Sequence, residues 1–413
     1  MKYQTVYLRL FVIIPLLFSS FALSGVDERG ALTYDVIAGG AVITGCVNIC
    51  QKDMVIPATV YGTPVTGIGE RAFYGEQLTS VSLPDSITYI GIRAFQYNQL
   101  TQLDLPEGLI TIDATAFADN ALTVVTIPAS VTKIGVTAFY ATDAVTVLVD
   151  GRSTAVSFEP APEGPSLVIT GCLAECPSNL AIPASLNGVN VVSIDDAAFM
   201  SEQLQSVSIA AGVQHIGVAA FYDNSLTTLN LSAGLVTIHA NAFQNNSLTS
   251  VSFPNTLTMI GNAAFDSNAL ANISIPASVT VIESAAFYDN ALSAVIIPDG
   301  ITLLGAAAFG GNQVNAVTWQ GAALNWSFSL LDEQMTISGC ATYCSLPRTD
   351  APSFLQPWDL TLPASINGYP VVAIEEYAFW DTSAQNLVLP EGLVTIGAYA
   401  FAENYFPDLV IPN

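Results

Sequence analysis

Apolar and polar positions alternate along this chain in short, recurring blocks. In Leu78 to Gln99, LTSVSLPDSITYIGIRAFQYNQ, the apolar residues Leu78, Val81 and Leu83 are separated by Thr79, Ser80 and Ser82. This β-branched, alternating end predicts a short strand with Val81 and Leu83 facing inward. Pro84 closes it, because proline has no N–H to give to a ladder. From Ile87 to Phe95 the aliphatics continue, with a small alanine before the aromatic residue. That stretch is too short for an ordinary helix, and it predicts a second short strand or extended turn passing into a helical turn near Ala94-Phe95.

The block then repeats. Phe73, Phe95, Phe117 and Phe139 are spaced by twenty-two residues, as are Phe199, Phe221, Phe243, Phe265, Phe287 and Phe309, and then Phe379 and Phe401. Each follows an alanine. So strict a period predicts a solenoid in which each unit buries its apolar face only against its neighbours. The expected fold is a mainly β repeat solenoid, a curved stack of 22-residue units with short parallel strands and turns and a phenylalanine ladder in its core. Asn98, Asn120, Asn224, Asn246, Asn268, Asn290, Asn312 and Asn404 recur three residues after the phenylalanine, where an amide can satisfy buried backbone groups at the bend. The first unit of each run departs from this, with Glu76, Glu202 and Thr382, and Thr142 replaces the asparagine after Phe139.

A larger repeat lies above the small one. ITGC at 43–46, ITGC at 169–172 and ISGC at 337–340 each precede a second cysteine, Cys50, Cys176 and Cys344, and then IPATVYGTPV, IPASLNGVNV and LPASINGYPV. These openers are enlarged units with glycine in the added turn. The expected modules are 25–150, 151–325 and 326–413, the last ending within a repeat, after a leader at 1–24. Even cysteine numbers at a repeated local spacing predict the disulfides Cys46–Cys50, Cys172–Cys176 and Cys340–Cys344. Zinc is the rival reading, but no opener has a histidine or a second cysteine pair nearby. No metal site or cofactor is expected.

The leader assignment rests on Lys2 and Arg9 before an apolar stretch that ends in Ala22-Leu23-Ser24, the make-up of a secretory signal peptide cut after Ser24. Its removal leaves seven basic residues against thirty-four acidic ones, a balance of −27. A surface so acidic repels phosphate backbones and anionic lipid, which argues against nucleic-acid binding. The expected location is secreted, extracellular or cell-surface, with the periplasm as an alternative and no transmembrane segment once the leader is gone.

No nucleophile elbow, zinc-protease helix, phosphate loop, dinucleotide fingerprint or EF-hand loop is present. His215 and His239 lie in different repeats at different phases and are expected to stay apart. No catalytic residue is assigned, and the chain is read as a non-enzyme. Binding is sought on the strand surface, where the two variable positions of Leu-Thr-x-Val-x-Leu point outward in two columns. In the second module these are Ser206, Thr228, Ser250 and Asn272 beside Ser208, Asn230, Ser252 and Ser274. Small and polar, they predict a shallow sheet suited to broad contact with an extended protein or glycan. A third column follows the core phenylalanine: Tyr74, Tyr140, Tyr222, Tyr288 and Trp380, either partly buried packing or exposed anchors.

The signature Leu-x-x-Val-x-Leu-Pro-x-x-Ile-x-x-Ile-Gly-x-x-Ala-Phe-x-x-Asn resembles the BspA-type leucine-rich repeat of secreted and surface proteins. The resemblance implies adhesion to extracellular proteins or other cells. A structural envelope or matrix component that self-associates end to end, or a carbohydrate binder, is the alternative.

Overall fold

The computed structural model describes residues 23–142, 146–149, 151–162, 164–313, 316–319, 322–323, 326–331, 334–341, 358–382, 384–406 and 409–410. Among them there is no helix; the fold is a β-solenoid with one coil per 22 residues. Each coil carries an outer segment (Ser80–Ser82 in the first clean repeat) and a two-residue inner strand (Tyr89–Ile90) before the phenylalanine turn.

The two-residue strands carry the continuity. They pair in parallel from coil to coil, so that Ile68, Ile90, Ile112 and Ile134 stand in register, as do Ile194, Ile216, Ile238, Ile260, Ile282 and Leu304. All ten are fully buried. One aliphatic per coil in a single column lets each coil pack its interior directly against the next, the close packing that protein cores require. The phenylalanine ladder lies beside them, with ring centroids 5.2–5.7 Å apart within the first two runs and near-parallel planes.

The helical turn expected at Ala94-Phe95 is not formed. In its place the residues two before and two after Phe95, Arg93 (φ 58°) and Tyr97 (φ 59°), are left-handed, and the same two positions are left-handed in each of the twelve turns. Alternating handedness points every second N–H along the solenoid axis. The N–H groups of Arg93, Phe95 and Tyr97 therefore donate to the carbonyls of Ala114, Ala116 and Ala118 in the next coil. A helical turn would have directed those donors back into its own coil.

The asparagine after each turn completes the seam. Asn120 Nδ2 donates to Phe95 O and Phe117 O, both at 2.9 Å, while its Oδ1 accepts from Leu100 N at 3.1 Å. Each such amide ties the phenylalanine carbonyl of its own coil to that of the coil before. The first coil of a run has no phenylalanine turn before it, which accounts for Glu76, Glu202 and Thr382 at this position. Thr142 keeps one of the bonds, its hydroxyl donating to Phe139 O.

Module boundaries do not interrupt the sheet. At each opener an antiparallel hairpin (Leu32–Ile37 with Gly40–Cys46, Val156–Pro160 with Leu167–Cys172, Trp326–Leu331 with Gln334–Cys340) enters the ladder. Phe158 there faces Ile134 on one side and Ile169 on the other, and Phe328 faces Leu304 and Ile337. Among the described residues one 22-stranded sheet results. The added opener turn is a tight hairpin at Tyr61-Gly62, Asn187-Gly188 and Asn367-Gly368, with both residues at positive φ as its handedness requires. Asn187 reaches back to the preceding module, donating to Val131 O at 2.8 Å, and Asn367 does the same to Trp319 O at 3.2 Å.

At the N-terminal end Leu23–Val26 pairs with Thr33–Val36. Leu23 and Ser24, assigned from sequence to the leader, thus take part in the sheet; residues 1–22 lie outside the described residues.

Candidate interaction surfaces

The outer columns of the second module face solvent as their alternation requires. Ser208, Thr228, Asn230, Ser250, Ser252, Asn272 and Ser274 are exposed and Ser206 is half-buried, its hydroxyl donating to Asn179 Oδ1 at 2.6 Å. Between them Val207, Leu229 and Val295 point into the core. The shallow sheet expected here is, however, interrupted. Strands 179–182, 206–209 and 228–230 pair in sequence, and 294–297 pairs with 316–319, but the rows at 249–253 and 271–275 carry no strand. These coils stay tied at the start of the row, where Ser247 N donates to Leu226 O, and part further along. Phe253, standing where other coils have leucine or isoleucine, sits edge-on between Phe265 and Phe287. Beside it a cleft of ≈ 440 Å³ opens, lined by Asn230, Ser252 and Asn255; a similar cleft of ≈ 550 Å³ lies along Gln102, Asp104 and Thr126.

The aromatic column divides. Tyr74, Tyr140 and Trp380 are exposed, whereas Tyr222 and Tyr288 are half-buried between neighbouring coils. Tyr97, one residue out of that column, meets Tyr74 edge-on at 5.3 Å, and the Arg71 guanidinium lies 5.9 Å over Tyr74.

The two histidines converge, contrary to the sequence reading. His215 Nδ1 is 2.8 Å from Thr237 Oγ1, which is 3.3 Å from His239 Nε2. His215 and Thr237 are register partners one coil apart, and His239 follows Thr237 by two residues, hence on the same face. Burial, and then the neighbouring His239, hold the His215 pKa below its ordinary value. The same diagonal of 22 plus two residues brings Tyr89 Oη to Asp113 Oδ2 at 2.7 Å, and burial followed by that carboxylate pushes the Tyr89 pKa up to about 12. No group of three or more metal-ligating side chains forms among the described residues.

Cys46–Cys50 and Cys172–Cys176 are disulfides with α-carbons 5.5 Å apart, as the local-turn reading expects. Cys340 is also disulfide-bonded; its expected partner Cys344 lies outside the described residues. The second of these loops takes the place of a phenylalanine turn in the axial ladder, with Cys172 O and Leu173 O accepting from Thr137 N and Phe139 N. Beside it lies a cleft of ≈ 780 Å³, walled by the last turn of the first module, the disulfide loop and the first turn of the second.

With coil, turn and asparagine seam in place, the class is defined: the chain belongs to the BspA-type leucine-rich repeat family. The family's repeat region matches residues 52–151, 192–315 and 364–413 in six copies. The unmatched stretches before and between them hold the hairpins and the cysteine pairs. Among solved structures the chain is similar to a leucine-rich repeat protein of T. pallidum (28% identity over 40% of this chain and 83% of that one, TM-score 0.36). It is also similar to a leucine-rich cell surface protein from Faecalibacterium prausnitzii (22% identity, 73% and 95% covered, TM-score 0.30) and to a leucine-rich repeat protein from Bacteroides ovatus (19%, 90% and 91%, TM-score 0.36). No curated protein matches the chain.

Proposed function

We propose that this chain is a secreted or surface-displayed scaffold that holds an extended protein partner along the outer columns of its second module. The observation that carries the reading is the pair of outward ranks, Ser206, Thr228, Ser250 and Asn272 beside Ser208, Asn230, Ser252 and Ser274, all exposed except the half-buried Ser206. Small polar side chains lose little entropy on docking and leave the repeated backbone accessible, which suits additive contact over many coils. The membership in a repeat family and the lack of any catalytic constellation in the sequence favour binding over turnover.

The test is retention of the protein on a panel of immobilised extracellular proteins, followed by the double variant Asn230→Trp/Ser252→Trp. Loss of a retained partner with an unchanged unfolding midpoint supports the reading. Retention unaffected by both tryptophans overturns it.

A further inference from the structure

We propose that the cleft between the first and second modules is a binding site for a neutral oligosaccharide. It is lined by the Cys172–Cys176 loop, by the exposed Tyr140, and by Glu175, Glu202, Gln203 and Gln205, whose side chains supply carboxylates and carboxamides. No lysine or arginine lines it.

Glu202 occupies the position at which other coils place the bridging asparagine. Phe199 opens its run, so there is no earlier phenylalanine carbonyl to tie, and the residue is released from the seam to face solvent. Gln203 follows in a left-handed conformation (φ 59°), which turns the dipeptide along the cleft edge. The first module repeats this construction: Glu76 and Gln77, the latter also at φ 59°, follow its first phenylalanine turn. In both, the backbone beyond the disulfide accepts from the strand that follows, Lys52 O from Thr79 N and Ser178 O from Gln205 N.

The chemistry of the rim selects the ligand. Carboxylates only accept hydrogen bonds, while carboxamides and hydroxyls do both, so the best complement is a molecule dense in hydroxyl groups that presents donors and acceptors side by side. A half-exposed tyrosine, 43% accessible, offers an apolar face to the C–H side of a sugar ring. An anionic glycan would meet two carboxylates that have no partner among the described residues, on a chain of net charge −25. A cationic peptide fits the carboxylates, but Lys52 stands in the first module where Ser178 stands in the second, so positive charge is not the chemistry the two openers share. The cleft walls are pinned by a disulfide and by the axial hydrogen bonds of Thr137 and Phe139, the rigidity that weak polar contacts need.

The experiment is calorimetric titration of the whole protein with neutral oligosaccharides of glucose, mannose and N-acetylglucosamine, and separately with a lysine-rich peptide. At least one of the neutral sugars is expected to bind. Tyr140→Ala and Gln203→Ala should each weaken it about tenfold with the unfolding midpoint unchanged. Ser252→Ala, on the outer columns, should leave it intact, which separates this site from the protein-binding surface. Silence with all three sugars, binding of the peptide alone, or sugar affinity indifferent to both cleft substitutions overturns the proposal.

Discussion

Phe243 shows what a single residue contributes to a stacked core. Its ring lies 5.2 Å from Phe221 on one side and from Phe265 on the other and is fully buried. Phe243→Ala is expected to cost roughly 3–5 kcal/mol, because the coils on both sides are held apart by their backbone ladders and cannot close the cavity. Ser250→Ala, exposed on the outer column, should change stability by less than about 0.5 kcal/mol. Denaturant unfolding with fluorescence and circular dichroism compares them; equal effects would mean that inward and outward are assigned wrongly. The asparagine seam makes a sharper case. Asn120 is 7% exposed and its amide donates to three carbonyls, those of Phe95, Phe117 and Ala118, so the nearly isosteric Asn120→Asp, which loses the NH2 donors when ionised, should cost about 2–4 kcal/mol by stranding them. A variant as stable as the parent would show that water satisfies those carbonyls equally well.

At the scale of elements, the ends and openers decide how coils are closed. Asp27, 2% exposed, accepts from Ala31 N at 2.7 Å and Leu32 N at 2.8 Å and pairs with Arg29 at 3.0 Å. Burial by itself would raise its pKa, but the Leu32 bond, the Arg29 bond and the Ala31 bond together bring it below the ordinary 3.8. A carboxylate with a depressed folded-state pKa binds fewer protons folded than unfolded. Its contribution is therefore complete above the unfolded value and is lost as the pH falls through the folded one. The wild-type urea midpoint should drop over that acid window more steeply than that of Asp27→Asn; parallel curves would show that the Asp27 carboxylate does not stabilise this turn. The opener loops are the second device. Replacing both Cys172 and Cys176 by alanine should cost on the order of 2 kcal/mol and speed hydrogen exchange at the amides of Thr137 and Phe139, whose acceptors lie in that loop. Unchanged exchange there would show that the loop holds its shape without the bond.

At the scale of the whole molecule the charge is one-sided. From Ser153 to Pro347 there is no lysine or arginine, and the chain as a whole carries a formal −25. Repulsion along such a stack opposes the compact state, and salt screens it over about 10 Å at 0.1 M. The thermal midpoint should therefore rise when sodium chloride is increased from low to physiological levels, by an amount that shrinks when several exposed carboxylates of the second module are changed to amides. A midpoint indifferent to salt would mean that the carboxylates are too far apart to interact. The sheet also crosses both module boundaries through hairpins, so the openers are expected to unfold with the coils they join.

The repeat, its length, its inward positions, the local disulfides of the first two openers and the structural use of the asparagine were legible in the chain, because a 22-residue period forces equivalent residues into equivalent places. Periodicity says which residues are alike; it does not say which atoms of neighbouring coils meet. The axial hydrogen bonding of the phenylalanine turns depends on alternating backbone handedness, which residues as unlike as Arg93, Thr115 and Ala219 all adopt. Composition gives no sign of it. The meeting of His215 with His239, and of Tyr89 with Asp113, needs the coil period and the strand alternation taken together, since only their sum places residues twenty-four apart on one face. The breaks in the outer rows and the cleft between modules depend on how neighbouring coils pack, which the repeat period does not specify. Sequence alone determined a solenoid of interchangeable units; the packing of each unit against its neighbour decided where those units stop being interchangeable, and those are the places where a ligand can be distinguished.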